Sequence, residues 1–381
     1  STPIKSSAAS DVYKRQYKEC TIMKPRVIAL YLPQYHPTPE NDEWWGKGFT
    51  EWTNVGKAKP LFKGHEQPKV PADLGYYDLR LPEVREQQAN MAKEAGVEGF
   101  CYYHYWFGNG KRILERPFEE VVKSGKPDYP FCLCWANESW HSKFWNIDGT
   151  IQKKLLVEQL YPGDKDIINH FNTLLPAFKD NRYIKVYGKP FFMIYLPLAF
   201  PDVTHFIDVW QKLAKENGFP GIYFVGHLVH GKEITPENIE KIKALGFDAV
   251  NVAGLFRGIR HFKSPLYKRV VRKLFKRPEI KKYSQLLPYL IMDSDKKPYV
   301  IPTITPNWDH TPRSGSSGTV VVDCKPELFA KNVKDAIKFV ADKNDEEKIV
   351  ILKAWNEWGE GNYMEPDLVH GYEKIDVLKD K

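Results

Sequence analysis

The sequence predicts an α/β protein built as a single (β/α)8 TIM barrel with long βα loops. Three observations carry that expectation. Eight apolar runs rich in β-branched and aromatic residues recur along the chain, amphipathic segments separate them, and no GxGxxG or P-loop follows any of the eight. In order, the runs are "RVIALYLPQYH" (26–36), "VEGFCYYHYWF" (97–107), "PFCLCWANES" (130–139) and "PFFMIYL" (190–196), then "GIYFVGHLV" (221–229), "DAVNVAGL" (248–255), "YVIPTITPNWD" (299–309) and "KIVILKAWNE" (348–357). Between them lie helical patterns that close on glycine: 81–96 on Gly96, 202–218 on Gly218 and 236–246 on Gly246. Eight such repeats fit a closed barrel better than an open doubly wound sheet. Long loops are expected after the first run, from Pro37 to Leu79, and after the sixth.

The 381 residues would hold two average domains or one large barrel with inserted loops, and the repeats favour one domain over 23–381. The stretch "SSAASDVYKRQ", Ser6 to Gln16, resembles the translation of a transposase adapter used in short-read DNA sequencing. Residues 1–22 are therefore expected to be a non-native leader in a reading frame assembled from environmental DNA, with the natural start at Met23. No apolar run approaches the roughly 20 residues that span a bilayer, and the amino terminus lacks the charged-then-apolar order of a secretion signal, so a cytoplasmic protein is expected. Five cysteines show no CxxC or Cys/His ligand spacing, and Cys132 and Cys134 fall two apart on one run. Buried free thiols in a reducing compartment are the expectation.

The net charge of +8 is concentrated in one place. Between Arg257 and Lys282 stand eleven Lys or Arg against the single acid Glu279, an excess of ten, which leaves −2 for the rest of the chain. Val270, Val271, Leu274 and Phe275 recur there at helical spacing. This basic insertion, 257–282, reads as a solvated helix packing its apolar stripe on the body, or as a contact surface for anionic glycan or membrane headgroups. No nucleic-acid partner is expected.

In a barrel of this kind the active site lies at the carboxyl ends of the strands. Here those ends carry Tyr35 and His36; His104, Tyr105 and Trp106; Trp135, Asn137 and Glu138; Tyr195; His227; Asn307, Trp308 and Asp309; then Asn356, Glu357, Trp358 and Glu360. The first long loop adds Trp44, Trp45, Glu51 and Trp52, and Trp140 and Trp145 follow the third run. Taken singly, each aromatic or His reads as barrel-top packing. Together they describe an acidic, aromatic bowl, which suits carbohydrate: sugar C–H faces stack on Trp and Tyr, and hydroxyls need acceptors and donors such as Asp, Glu, Asn and His. Glycoside cleavage needs one protonated and one ionised carboxyl group, and Glu357 with Glu360, flanked by Trp355 and Trp358, can supply that pair. The acids lie among Trp and Asn rather than in a His-rich or clustered Asp shell, so neither metal nor cofactor is expected.

"RVIALYLPQYHPTPENDEWWGKGFTEWTNV", "YYHYWF", "WANESW" and "AWNEWGEGNYMEPD" resemble the WbsX-like family of bacterial polysaccharide-locus proteins, related to glycoside hydrolase family 99, the endo-α-mannanase and endomannosidase family. The likeness runs from Met23 to the carboxyl terminus and is most specific at NEW-x-EG and the following Glu365-Pro366. It implies a (β/α)8 barrel, a polysaccharide or oligosaccharide substrate, and retention of configuration. It also implies that Glu357 deprotonates the sugar's 2-hydroxyl, which attacks the anomeric carbon to give a 1,2-anhydro sugar, while Glu360 protonates the leaving oxygen. Such participation requires O2 trans to the leaving group, as in α-manno or α-rhamno sugars. Glu365 is expected among the binding residues, and Glu138 is expected to be a substrate-binding or supporting carboxylate rather than the nucleophile; the competing arrangement makes the glutamates of the Asn137-Glu138 and Asn356-Glu357 pairs the acid and covalent nucleophile of a retaining site.

The chain departs from family 99 at Gly359, where the mannosidases typically carry histidine in a NEWHEG version. WbsX-like proteins have also been labelled glycosyltransferases, which keeps open a transferase or lipid-linked glycan processor in O-antigen or capsule assembly, or a non-catalytic glycan-binding barrel. No DxD motif is followed by a nucleotide-binding pattern, and "DSD" at 293–295 reads as a polar turn.

Overall fold

A computed structural model describes residues 24–145, 151–267, 272 and 274–379. Eight parallel strands close on themselves: β1 (Arg26–Tyr31), β2 (Gly99–His104), β3 (Phe131–Trp135), β4 (Lys189–Ile194), β5 (Tyr223–Leu228), β6 (Ala249–Val252), β7 (Val300–Ile304) and β8 (Ile349–Leu352). β1 pairs with β2 on one side and with β8 on the other, which makes the ring complete. The strands are buried over nearly their whole length, because helices cover the barrel outside and side chains fill it inside. This is the (β/α)8 barrel expected from the alternating runs.

Local chemistry explains the outer helices. Pro82, Pro236 and Pro326 open theirs at a position whose N–H has no intrahelical partner, and the Thr235 hydroxyl caps the second by accepting from the Asn238 N–H at 3.3 Å. Gly96, Gly218 and Gly246 follow three of them at φ 73°, 87° and 99°, the left-handed conformation glycine adopts without a Cβ clash.

Each predicted run extends beyond its barrel strand at the carboxyl end, because the residues there are just as aromatic but belong to the loops. The first connection carries short helices at Pro39–Trp45 and Glu51–Gly56. The third carries an antiparallel hairpin, Trp140–Trp145 with Ile151–Val157. A small sheet of Glu279–Lys282, Thr319–Val322 and Trp308–Asp309 lies over the sixth and seventh connections. "DSD" is a single 3-10 turn whose Asp295 receives the Arg257 guanidinium at 2.6 and 2.8 Å.

Among the described cysteines all four are free, and Cys101, Cys132 and Cys134 are buried. No helix among the described residues is long and apolar enough to cross a membrane. The expected leader and Met23 lie outside the described residues, as do Val270 and Val271. The expected packing of the apolar stripe on the body is not found for its described members: Leu274 and Phe275 are 74% and 71% exposed.

Candidate active site

The strand ends open into a cleft of two limbs that meet at Tyr195, Lys353 and Glu360. The first limb, about 610 Å³, is lined by Trp45, Glu51, Tyr105, Glu138, Trp140 and Glu357, among others. The second, about 840 Å³, is bounded by His227, His230, Phe256, Arg260, Trp308 and His310. Glu360 therefore stands where the limbs join, and Glu357 lines the first limb next to that junction.

Three anchors bring Glu357 there. The Asn356 side chain clamps the end of β1, its Oδ1 accepting from the Leu32 N–H at 2.7 Å and its Nδ2 donating to the Leu32 carbonyl at 3.0 Å. The Tyr35 hydroxyl donates to the Asn356 carbonyl and accepts from the Trp358 N–H at 3.2 Å. Then Trp358–Glu360 form one 3-10 turn closed by Gly361 at φ +54°, and a Cβ on Gly361 would lie 2.8 Å from the Asp309 backbone nitrogen. The tight turn presents both glutamates on the same side of the cleft. The Asn137-Glu138 pair repeats the device on β3: Asn137 accepts from the Leu196 N–H at 2.8 Å and donates to the Leu196 carbonyl at 3.1 Å, while Glu138 faces the first limb.

Two cations organise the acids. Lys353, directly after β8, puts its Nζ 3.1 Å from Glu357 Oε2 and 3.8 Å from Glu360 Oε2. Arg313 reaches Glu360 Oε1 at 2.6 Å with Nη1 and holds Glu51 with Nε at 2.9 Å and Nη2 at 3.1 Å. Burial pushes the Glu357 carboxyl above its ordinary range, and the charge of Glu360 pushes it further, against Lys353 and Arg313. Burial also pushes Glu360 up, but Arg313 and Lys353 outweigh it and hold this carboxyl well below the usual range. Of the two, Glu357 is therefore the carboxyl that takes up a proton more readily and Glu360 the one that stays ionised. Glu138 is raised, by burial first.

The remaining sequence-derived residues divide by the two-residue alternation of strands. Tyr105 faces the first limb, together with Tyr103, which the sequence had not singled out. His104 and Trp106 turn outward, where the Nε2 atoms of His104 and His170 meet at 2.8 Å, Trp106 stacks on His170 at 4.4 Å between centroids, and Trp135 donates to the Trp106 carbonyl. His36 is buried and lines neither limb. Trp44 packs edge-on against Trp140, and Trp52 lies beneath Tyr35 and Trp358 with its Nε1 on the Tyr77 carbonyl. Asn307 accepts from the Tyr363 N–H, and Asp309 takes His65 and Gln67 at 2.7 Å each behind the second limb. The side chain of Trp145 lies outside those described. Arg313 and Lys353 were not among the sequence-derived candidates. Lys353 carried a signal, a cation ending the buried run "IVIL", where an unpaired charge is expensive; Arg313, in the loop "HTPRSGSSG", carried none. Among the described residues no group of three or more His, Cys, Asp or Glu is arranged to hold a metal ion.

Glu365 lies one layer below. It is buried beneath Trp358, accepting from Trp358 Nε1 at 2.6 Å, Gln88 Nε2 at 2.6 Å and the Tyr77 hydroxyl at 2.9 Å. Burial raises its pKa from the ordinary 4.5 to about 7, and the three donors only partly oppose this. A raised folded-state pKa contributes stability that is complete below the unfolded value and lost as pH rises through about 7. The shift corresponds to about 3 kcal/mol, so denaturant midpoints should fall between pH 4.5 and pH 8, and Glu365→Gln should flatten that slope. An unchanged slope in the variant would place the titration elsewhere.

Residues 27–378 match the model of the family described as Glycosyltransferase WbsX. The chain belongs to the WbsX family. Two uncharacterized WxcX proteins, from two strains of Xanthomonas campestris pv. campestris, are each 33% identical to it over 362 and 360 residues, covering 93% of this chain and 49% of theirs. The chain thus spans about half the length of the curated relatives it matches. Among solved structures it is similar to a glycoside hydrolase-like protein, with a TM-score of 0.57, 15% identity and coverage of 94% and 93%. It is also similar to the GH99 endo-alpha-mannosidase from Bacteroides thetaiotaomicron in complex with bis-tris-propane, with a TM-score of 0.55, 15% identity and coverage of 93% and 96%. At that identity the likeness establishes the fold.

Proposed function

We propose that this WbsX-family barrel is a retaining glycoside hydrolase acting on α-linked polysaccharide of manno or rhamno configuration, through a 1,2-anhydro sugar. The observation that carries the reading is the Glu357–Glu360 pair, both facing Lys353, with Glu360 at the junction of the two limbs and Glu357 beside it in the first, where a chain lying along the cleft would present its scissile bond. Glu357 takes the proton from the 2-hydroxyl as O2 attacks the anomeric carbon, and Glu360 gives a proton to the leaving oxygen. Water then opens the three-membered ring with the roles reversed. Tyr105, Trp45 and Trp140 offer faces for sugar rings, and Glu138 accepts from hydroxyls.

This division needs the dissociable proton on Glu360 once glycan is bound, whereas in the free site Glu357 is the carboxyl shifted toward holding a proton. Both carboxylates face Lys353, so a sugar hydroxyl that displaces the Arg313 contact to Glu360 would move the proton across the pair. The Arg313–Glu360 ion pair favours a second reading, with Glu357 as the acid and Glu360 as the base. A different reaction, glycosyl transfer in O-antigen or capsule assembly, draws support from the family description.

The test is an assay of purified chain on a panel of α-linked mannans and rhamnans. New reducing ends are expected without any sugar nucleotide present. Turnover of a sugar nucleotide with no release from any of the polysaccharides would replace hydrolysis by transfer.

A further inference from the structure

We propose that the exposed residues Leu266, Leu274, Phe275, Lys276, Arg277, Ile280 and Lys282, around the strand Glu279–Lys282, form a membrane-contact surface, which seats the protein on an anionic lipid bilayer with the second limb of the cleft opening beside it.

The basic insertion that carries them is closed at its neck. Glu279, its only acid, accepts from the Ser264 N–H at 3.1 Å and the Ser264 hydroxyl at 3.0 Å, and pairs with Lys281 at 2.9 Å and Arg272 at 3.2 Å. The negative charge is therefore consumed inside the neck, while Lys276, Arg277 and Lys282 are exposed beyond it. Leu274 and Phe275, 74% and 71% exposed, directly precede Lys276 and Arg277 in the chain, Ile280 is exposed two residues before Lys282, and Leu266 is 73% exposed. Large apolar side chains interleaved with Lys and Arg match the boundary between anionic headgroups and acyl chains. An anionic polysaccharide or a nucleic acid would satisfy the cations but offers no apolar phase for Leu274 and Phe275, which is why the bilayer is the better fit.

The placement ties the surface to the cleft. Ile259, Arg260 and Lys263, at the start of the same basic segment, form part of the wall of the second limb together with Glu279. A glycan carried on a membrane lipid would reach the Glu357–Glu360 junction from that side. The contact surface itself does not depend on the hydrolytic reading.

Sedimentation of the full chain with vesicles tests it. Binding is expected to vesicles containing phosphatidylglycerol and not to pure phosphatidylcholine, and it should weaken as salt rises. The variant K276E/R277E/K282E should bind roughly tenfold more weakly or worse, and L274D/F275D should lose a comparable factor while keeping the salt dependence. Unchanged thermal midpoints would show that these exposed substitutions leave the fold intact. Absence of sedimentation with phosphatidylglycerol would overturn the proposal. So would undiminished binding by L274D/F275D, since that pattern describes a purely electrostatic surface for a soluble polyanion such as polyuronate or DNA. Because no step of the assay reads cleavage, a failure of the hydrolase assignment and a failure of this surface are separately visible.

Discussion

On an aryl glycoside with a nitrophenolate leaving group, Glu360→Gln is expected to keep activity within about tenfold of the parent, while on the natural linkage it loses on the order of 10²–10⁴-fold. A nitrophenolate departs with little protonation, so removing the acid matters little there and greatly where a sugar alkoxide must leave. Glu357→Gln should lose on the order of 10²–10⁴-fold on both substrates, because no leaving group substitutes for the base that activates O2. The buried Lys353 sharpens the contrast: with Glu357 neutralised, its Nζ keeps only Glu360, at 3.8 Å. The reversed pattern, with Glu357→Gln rescued by the good leaving group, would assign the acid to Glu357, as the Arg313–Glu360 ion pair favours. Equal retention in both variants would reduce "NEWGEG" to a structural turn. A glycosyl ester trapped on Glu138 would move the nucleophile to β3 and replace the anhydro route by a covalent one.

The barrel was legible because its signal is repeated eight times, each repeat marked by an apolar run and several also by proline at the helix start or glycine at its end. The acids at the cleft junction were legible because polar residues at the carboxyl ends of barrel strands have few other reasons to be there. What was not legible is direction and partner. "HYW" at 104–106 reads as one cluster, yet alternation sends Tyr105 into the cleft and His104 and Trp106 against His170. Asn137 and Asn356 read as sugar ligands, but each is occupied in holding one strand end to the next. Arg313 lies far in sequence from both acids it joins, and only closure of the barrel brings the seventh connection against Glu51 and Glu360. Charge pattern alone located the basic insertion; whether its apolar stripe packs inward was a question of tertiary contact, and for its described members Leu274 and Phe275 the exposure shows that they do not.

Gly359→Ala is expected to destabilise the protein by roughly 1–3 kcal/mol and to disable the site, although it adds one methyl group. A Cβ at this position would lie 1.6 Å from Glu51 Oε1 and 3.2 Å from Arg313 Nε, so something must move. Glu51 cannot yield cheaply: it is buried and holds Arg313 through two hydrogen bonds, with Asn54 Nδ2 on Oε1 at 3.2 Å. Displacing it releases Arg313, and Arg313 in turn sets the ionisation of Glu360. The Glu51–Arg313 pair thus fills the space that a side chain at 359 would need, which gives a physical reason for glycine where the NEWHEG version has histidine. The coupling is measurable in a double-mutant cycle. If the clash with Glu51 is the cause, Gly359→Ala should cost far less in a Glu51→Ala background than in the parent, with an interaction energy of about 1 kcal/mol or more in thermal or denaturant unfolding. Activity should stay low in the double variant, because Arg313 is left with Glu360 as its close partner and the proton balance of the proposed Glu357–Glu360 pair is altered. Additive losses would mean that the constraint at Gly359 lies in its backbone rather than in the ion pair, and a parent-like Gly359→Ala would remove the account of the missing histidine.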